Sequence, residues 1–221
     1  MLRGLKVPTH KIDAPGLFIL PHDDAWDHQR LDAEAAELVA LALDQAKARA
    51  VEAAAQQAGV APEDLTPEQR EAAEQSVALT VEEQEAAKTT HPVARYLAGE
   101  TRYQLDAPDQ GPRGPACARD YLRPDAEPLA LELRRIPWRV KMSIDAEREH
   151  RVRWEALVKE GVSGVRFGTE VKWRAKSADD KIPGDLLDLI CEAEGDWLNL
   201  ARIAGACANY SKPLTESEGK R

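Results

Sequence analysis

The densest set of possible metal ligands in the chain is His22-Asp23-Asp24-Ala25-Trp26-Asp27-His28. Two imidazoles with three carboxylates between them could hold a divalent ion and activate a bound water for hydrolysis. Their spacing fits none of the finger, HExxH or EF-hand patterns. Aspartates just ahead of a helix also accept from its free N–H groups and oppose its dipole, and the segment is read as a helix start. Glu170-Val171-Lys172 matches the tail of a restriction-type nuclease motif, whose metal site would need an upstream aspartate such as Asp125. Three-residue motifs of this kind recur by chance. As a nucleophile, Cys117 would need a histidine and an orienting group, and no local signature supplies them. No catalytic residue, metal or cofactor is therefore expected.

The remaining candidate chemistry is electrostatic. Between Arg134 and Lys176 there are twelve bases against six acids, with Trp138, Trp154 and Trp173 interleaved. Arg134, Arg135, Arg139, Lys141, Lys172 and Arg174 are the candidate interaction residues. Basic side chains with aromatics suit a nucleic-acid groove, where phosphates are neutralised and bases stack. The same residues suit an acidic protein surface, with the tryptophans in the core, and that reading is preferred.

Such an acidic surface lies in the same chain. From Asp27 to Lys88 there are fourteen acids and five bases, and the rest of the chain holds 25 of each. The whole formal charge of −9 therefore sits in this one segment. It predicts a helix from about Trp26 to Ala58, closed by Gly59 as a left-handed cap. Leu31, Ala35, Leu38, Ala42, Ala46 and Ala50 make its thin stripe, flanked by Val39 and Leu43. Thr66-Pro67-Glu68-Gln69 supplies a capping box and a first-turn proline for a returning helix. Thr80 and Glu83 form a second box, and His91-Pro92 ends the run. The result is an acidic helical hairpin.

Around it the sequence predicts strands and shorter helices. Gly16 to Leu20 reads as a buried strand. Val93 to Gly99 reads as a helical turn with a glycine stop, Thr101 to Leu105 as a strand, and Pro108 to Pro115 as an exposed loop. Leu129 to Ile144 alternates, with its phase slipping near Arg134-Arg135-Ile136-Pro137, which predicts a bent strand or two strands. Asp145 would cap a helix over 146–160 with Val152, Leu157 and Val158 inward, and Gly161-Val162-Ser163-Gly164 would close it. Val165 to Ala175 returns to strand. Two helices follow, divided at Gly195-Asp196, with Trp197 on the apolar face of the second, and Ser211 to Arg221 is a polar tail.

The expected fold class is α+β: a small mixed sheet packed by C-terminal helices, with the long acidic hairpin near the N-terminal third. Its divisions are 1–25, an N-terminal strand segment; 26–91, the hairpin; 92–210, the body; and 211–221, the tail. At 221 residues the chain holds one ordinary core of about 160 residues plus an appendage. No apolar run has signal or membrane-spanning length. Three well-separated cysteines argue against a disulfide framework and for a reducing compartment. A pI near 5.2 disfavours nucleic acid as the partner of the whole chain.

The order Leu131-Glu132-Leu133-Arg134-Arg135-Ile136, then an acidic-basic helix, Gly161-Val162-Ser163-Gly164-Val165, Ile182-Pro183-Gly184-Asp185-Leu186-Leu187 and a last helix with a polar tail resembles small virion or tail-assembly proteins of tailed bacteriophages. The resemblance is one of layout, covers roughly Arg95 to Arg221, and carries over no catalytic residue; the hairpin departs from it. It implies a non-enzymatic structural or assembly protein, acting through contacts with other virion proteins or copies of itself, in the host cytoplasm during assembly or in the virion. The alternative is a nucleic-acid-binding module using the basic strand region 134–176.

Overall fold

A computed structural model describes residues 15–192 and 198–212, which fold as an α+β chain in two compact units. The expectations for Met1 to Ala14, Gly195-Asp196, Trp197 and the tail beyond Lys212 lie outside the described residues.

The first unit comprises described residues of Met1–Ala25, Gly99–Gln104 and Asp125–Arg221. Its sheet contains β1 (Gly16–Ile19), β4 (Leu129–Leu133), β5 (Val162–Phe167) and β6 (Glu170–Arg174), in that spatial order. Every pairing is antiparallel, which corrects the expected mixed sheet. The physical reason is the connection: helices α5 (Trp138–Asp145) and α6 (His150–Gly161) bring the chain back to the end of β4 that it left, so Leu133 pairs with Val162. Register aligns Phe18, Leu131, Val165 and Trp173 in one row and Leu17, Glu132, Gly164 and Arg174 in the next. The first row builds core, with Phe18, Leu131 and Val165 buried. C-terminal helices α7 (Gly184–Glu192) and α8 (Leu198–Tyr210) follow, and α8 packs against α6 through buried Leu157, Val158, Ile203 and Cys207.

Four local expectations in this unit are corrected. The even-numbered apolar set from Ile136 to Ile144 is mostly the helix α5 and not a strand. A period of two contains the helical i,i+4 spacing, so the pattern is two stripes on opposite helix faces. Val140 and Ile144 turn inward, whereas Trp138 and Met142 turn out to solvent, 70% and 51% exposed. Asp145 ends α5 instead of capping the next helix, which begins at His150 and leaves Val152 exposed. Gly161 passes directly into β5, so the segment to Gly164 is strand and not a helix stop. Thr101 to Gln104 is a turn, with Arg102 and Tyr103 both at positive φ (51° and 58°). Such backbone costs on the order of 1–3 kcal/mol per residue unless its surroundings impose it. Here Leu17 N–H donates to the Tyr103 carbonyl at 3.0 Å, the Tyr103 ring meets Phe18 edge-on, and Arg102 donates to the Asn209 carbonyl.

The second unit comprises Trp26–Ala98 and Leu105–Pro124. Helix α1 (His28–Ala58) is capped by the Asp27 carboxylate, which accepts from Arg30 N–H, and closed by Gly59 at φ 69°. Helices α2 (Pro67–Gln75) and α3 (Val81–Lys88) carry the two capping boxes and pack along α1. The α1 stripe is only half-buried, as small alanine side chains dictate. Helix α4 (Pro92–Leu97) is capped by the His91 ring. Strands β2 (Asp109–Gly111) and β3 (Gly114–Ala116) pair as a short hairpin where the sequence predicts an exposed, turn-rich loop. Trp26, Tyr96 and Tyr121 form the aromatic core, with Trp26 and Tyr96 edge to face at 5.9 Å.

Candidate functional site

Two buried carboxylates are the most strongly organised polar groups. Glu34 lies on α1 and is 1% exposed. Tyr121 O–H donates to Oε2 at 2.7 Å, and Arg30 Nε donates to Oε1 at 2.9 Å. Arg30 also stacks over the Tyr121 ring and donates to the Asp120 carbonyl. His91 Nδ1 accepts from Val93 N–H, so the ring proton sits on Nε2, which faces Glu34 Oε2 at 3.6 Å. That atom makes no hydrogen bond at this distance. Burial would raise the Glu34 pKa, but the Tyr121 hydroxyl and the Arg30 guanidinium outweigh it and hold the carboxyl below its ordinary value. Burial lowers the His91 pKa against the opposing pull of Glu34, and burial with the Glu34 bond pushes Tyr121 up to about 12. The cluster pins α1, α4 and the turn at Ala118–Tyr121 together, and its reactive atoms face the interior.

Glu132, on β4, is 2% exposed and accepts from Arg166 Nε and from Arg174 Nε (3.0 Å) and Nη2. Burial raises its pKa and the two guanidinium groups more than reverse this. Its side chain lies over Gly164, where an added Cβ would come within 2.5 Å of Oε2. Arg166 and Arg174 keep part of their surface in water (33% and 49%), so the triad is a partly hydrated ion pair that ties β4, β5 and β6.

The six basic candidates separate by structural role. Arg174 belongs to that triad. Arg134 donates to the carbonyls of Glu160, Ser177 and Asp180 and so holds a loop against the end of α6. Lys141 pairs with Asp145 one helical turn away, and Lys172 pairs with Glu170 on the same strand. Arg135 and Arg139 are exposed, close in sequence to the outward-turned Trp138 and Met142. The structure thus distributes these groups over a loop, a helix and a strand, and at α5 it sets exposed charge near exposed apolar surface.

The acid-rich N-terminal motif bonds both to its own turn and to distant segments of its unit. Asp23 accepts from Ala25 N–H and Leu129 N–H, and His22 contacts Arg202 at 2.6 Å. Among the described residues no group of three or more His, Cys, Asp or Glu could hold a metal ion. The Cys117 thiol is raised by burial and by Asp120, to which it donates. Cys207 is pushed up to about 12 by burial. A hollow of about 340 Å³ at the hairpin end is walled by Glu63, Leu65, Pro67, Arg70, Glu71 and Glu74, with no histidine or cysteine. Among the described residues no helix is long and apolar enough to cross a membrane.

Sequence reasoning overlooked Glu34 and Glu132 as buried charges. Glu34 sits three residues after Leu31 and four before Leu38, within the apolar stripe, so its position carried a signal. Glu132 interrupts the otherwise apolar Leu129-Ala130-Leu131-Glu132-Leu133 strand, a pattern of burial on both faces. No protein-family model, curated protein or solved structure matches the chain.

Proposed function

We propose that this chain is a non-enzymatic structural or assembly protein of a tailed bacteriophage, working through protein–protein contacts in a multi-copy assembly. The observation that carries the protein-contact reading is the outward face of α5, where Trp138 and Met142 stand in solvent at 70% and 51% exposure beside Arg135 and Arg139. Isolated exposed apolar side chains are ordinary, but a tryptophan and a methionine one helical turn apart form a patch suited to burial against a partner. Aromatic, methionine and arginine side chains are also those enriched at interfaces. The two buried carboxylates support the reading from the other side, because their donors come from their own unit and serve to join its elements. The phage assignment rests on the layout from Leu131 through the C-terminal helices. Its partners are other virion proteins or copies of itself.

Light scattering of the full chain across a concentration series, at low and moderate salt, tests this. A mass of several copies that falls as salt rises is expected, because exposed charges are screened within about 8 Å at physiological ionic strength. A single-chain mass at every concentration overturns the multi-copy reading. A second reading, a nucleic-acid-binding module, is favoured by the same tryptophan between two arginines, since such a ring can stack a base while the arginines meet phosphate.

A further inference from the structure

We propose that the α5 face of one copy docks on the acidic helical hairpin of a second copy, with Trp138 and Met142 as apolar anchors and Arg135 and Arg139 as charged guides. This names the partner within the multi-copy reading and rests on it.

The first observation is apolar. Among the described residues the two most exposed large apolar side chains are Val81, on α3 of the hairpin, at 76%, and Trp138, on α5, at 70%. Leu41, on α1, is a further exposed hairpin residue at 50%. Each stands beside an acid: Asp44 lies three residues after Leu41 on the same helix face, and Glu82 follows Val81. Trp138 and Met142 stand beside Arg139 and Arg135. Both patches therefore combine an apolar anchor with one sign of charge, and the signs are opposite.

The second observation is the field behind each patch. From Arg134 to Arg153 there are seven bases and three acids, against fourteen acids and five bases over 27–88. Several of the α5–α6 charges are already engaged: Lys141 with Asp145, Arg151 with Glu155, Arg153 with His150. Arg135 and Arg139 are exposed, three residues before Trp138 and one after it. Opposite fields steer the encounter and set its orientation, and the apolar anchors, once desolvated, slow dissociation.

Because the two patches are different surfaces, the contact is heterologous. Each copy uses its α5 face on one neighbour and offers its hairpin to another, so association continues until the rotation closes a ring, or extends as a row. A short helix makes a weak individual contact, and closing a ring makes the last contact intramolecular, which supplies avidity.

Charge-swapped full-length chains test the inference. One carries R135E/R139E, the other D44K/E82K, all at exposed positions, with folding checked by circular dichroism. Sedimentation and light scattering at low salt should show each variant alone losing self-association by at least about tenfold. An equimolar mixture should recover it, because the acidic α5 of the first meets the two lysines set beside Leu41 and Val81 on the hairpin of the second, while the second's native α5 meets the first's native hairpin. A chain carrying all four substitutions should also self-associate. W138A should weaken association without altering the charge pattern. If wild type assembles but the mixture shows no recovery, this interface is wrong and the multi-copy reading stands. If wild type remains a single chain, both fail. If W138A and R135E/R139E instead abolish binding of a single-stranded oligonucleotide while self-association is unchanged, the face is a nucleic-acid surface and the proposal is overturned.

Discussion

Replacing His91 by asparagine should remove a pH-dependent part of the chain's stability. His91 is 3% exposed, accepts from Val93 N–H through Nδ1, and meets the edge of Tyr121 at 4.7 Å between ring centroids. A second proton would have to enter at Nδ1, where the Val93 N–H already points, so the charged ring loses the cap. The charged groups facing it are Glu34, which favours the imidazolium, and Arg30, which opposes it. Burial outweighs Glu34, and the folded-state pKa lies below the ordinary 6.5. With the folded value depressed, the unfolded chain takes up a proton first. The stability from keeping His91 neutral is therefore complete above about pH 6.5 and is lost as pH falls toward the folded value. For one proton the slope is limited to about 1.4 kcal/mol per pH unit, giving a loss of up to about 1.4 kcal/mol between pH 7.5 and 5.5. Glu34, also depressed, loses its contribution only as pH falls below the ordinary carboxylate value of 4.5, outside this window. Asparagine retains an acceptor for the α4 cap and cannot titrate. Urea unfolding followed by far-ultraviolet circular dichroism, at intervals from pH 8 to 5.5, should give wild-type and H91N stabilities that converge as pH falls. A constant difference across the range would refute the buried, neutral assignment.

Three further substitutions probe the buried carboxylates. Glu34→Ala leaves the Tyr121 hydroxyl and the Arg30 Nε–H without their acceptor, and should cost about 3–5 kcal/mol in urea unfolding. Tyr121→Phe should cost about 1.5–3 kcal/mol, and the double variant should fall short of the sum, since both act on one bond. Gly164→Ala places a methyl within 2.5 Å of the Glu132 carboxylate, which Arg166 and Arg174 hold in place, so a loss of about 1–3 kcal/mol is expected. A thermal midpoint equal to wild type would mean that the triad repositions freely.

Much of the helical framework is written locally. Thr66 with Gln69 and Thr80 with Glu83 form the capping boxes that their three-residue separation predicts, and Gly59 takes the left-handed backbone that ends α1. These features depend on residues within one turn, so the sequence alone determined them, along with the concentration of negative charge over 27–88. What lies on which side of an element was decided by tertiary structure. The even-numbered run from Ile136 to Ile144 satisfies a strand and a helix equally, and the structure resolves it as α5 with Trp138 outward. Thr101 to Gln104 alternates like a strand, yet its backbone is bent by partners at Leu17 and Asn209, far away in the chain. Glu34 is stabilised by Tyr121, 87 residues distant, and Glu132 by Arg174, 42 residues distant. Periodicity identifies a face but not its partner, because burying a charge depends on donors that only the folded chain brings within 3 Å.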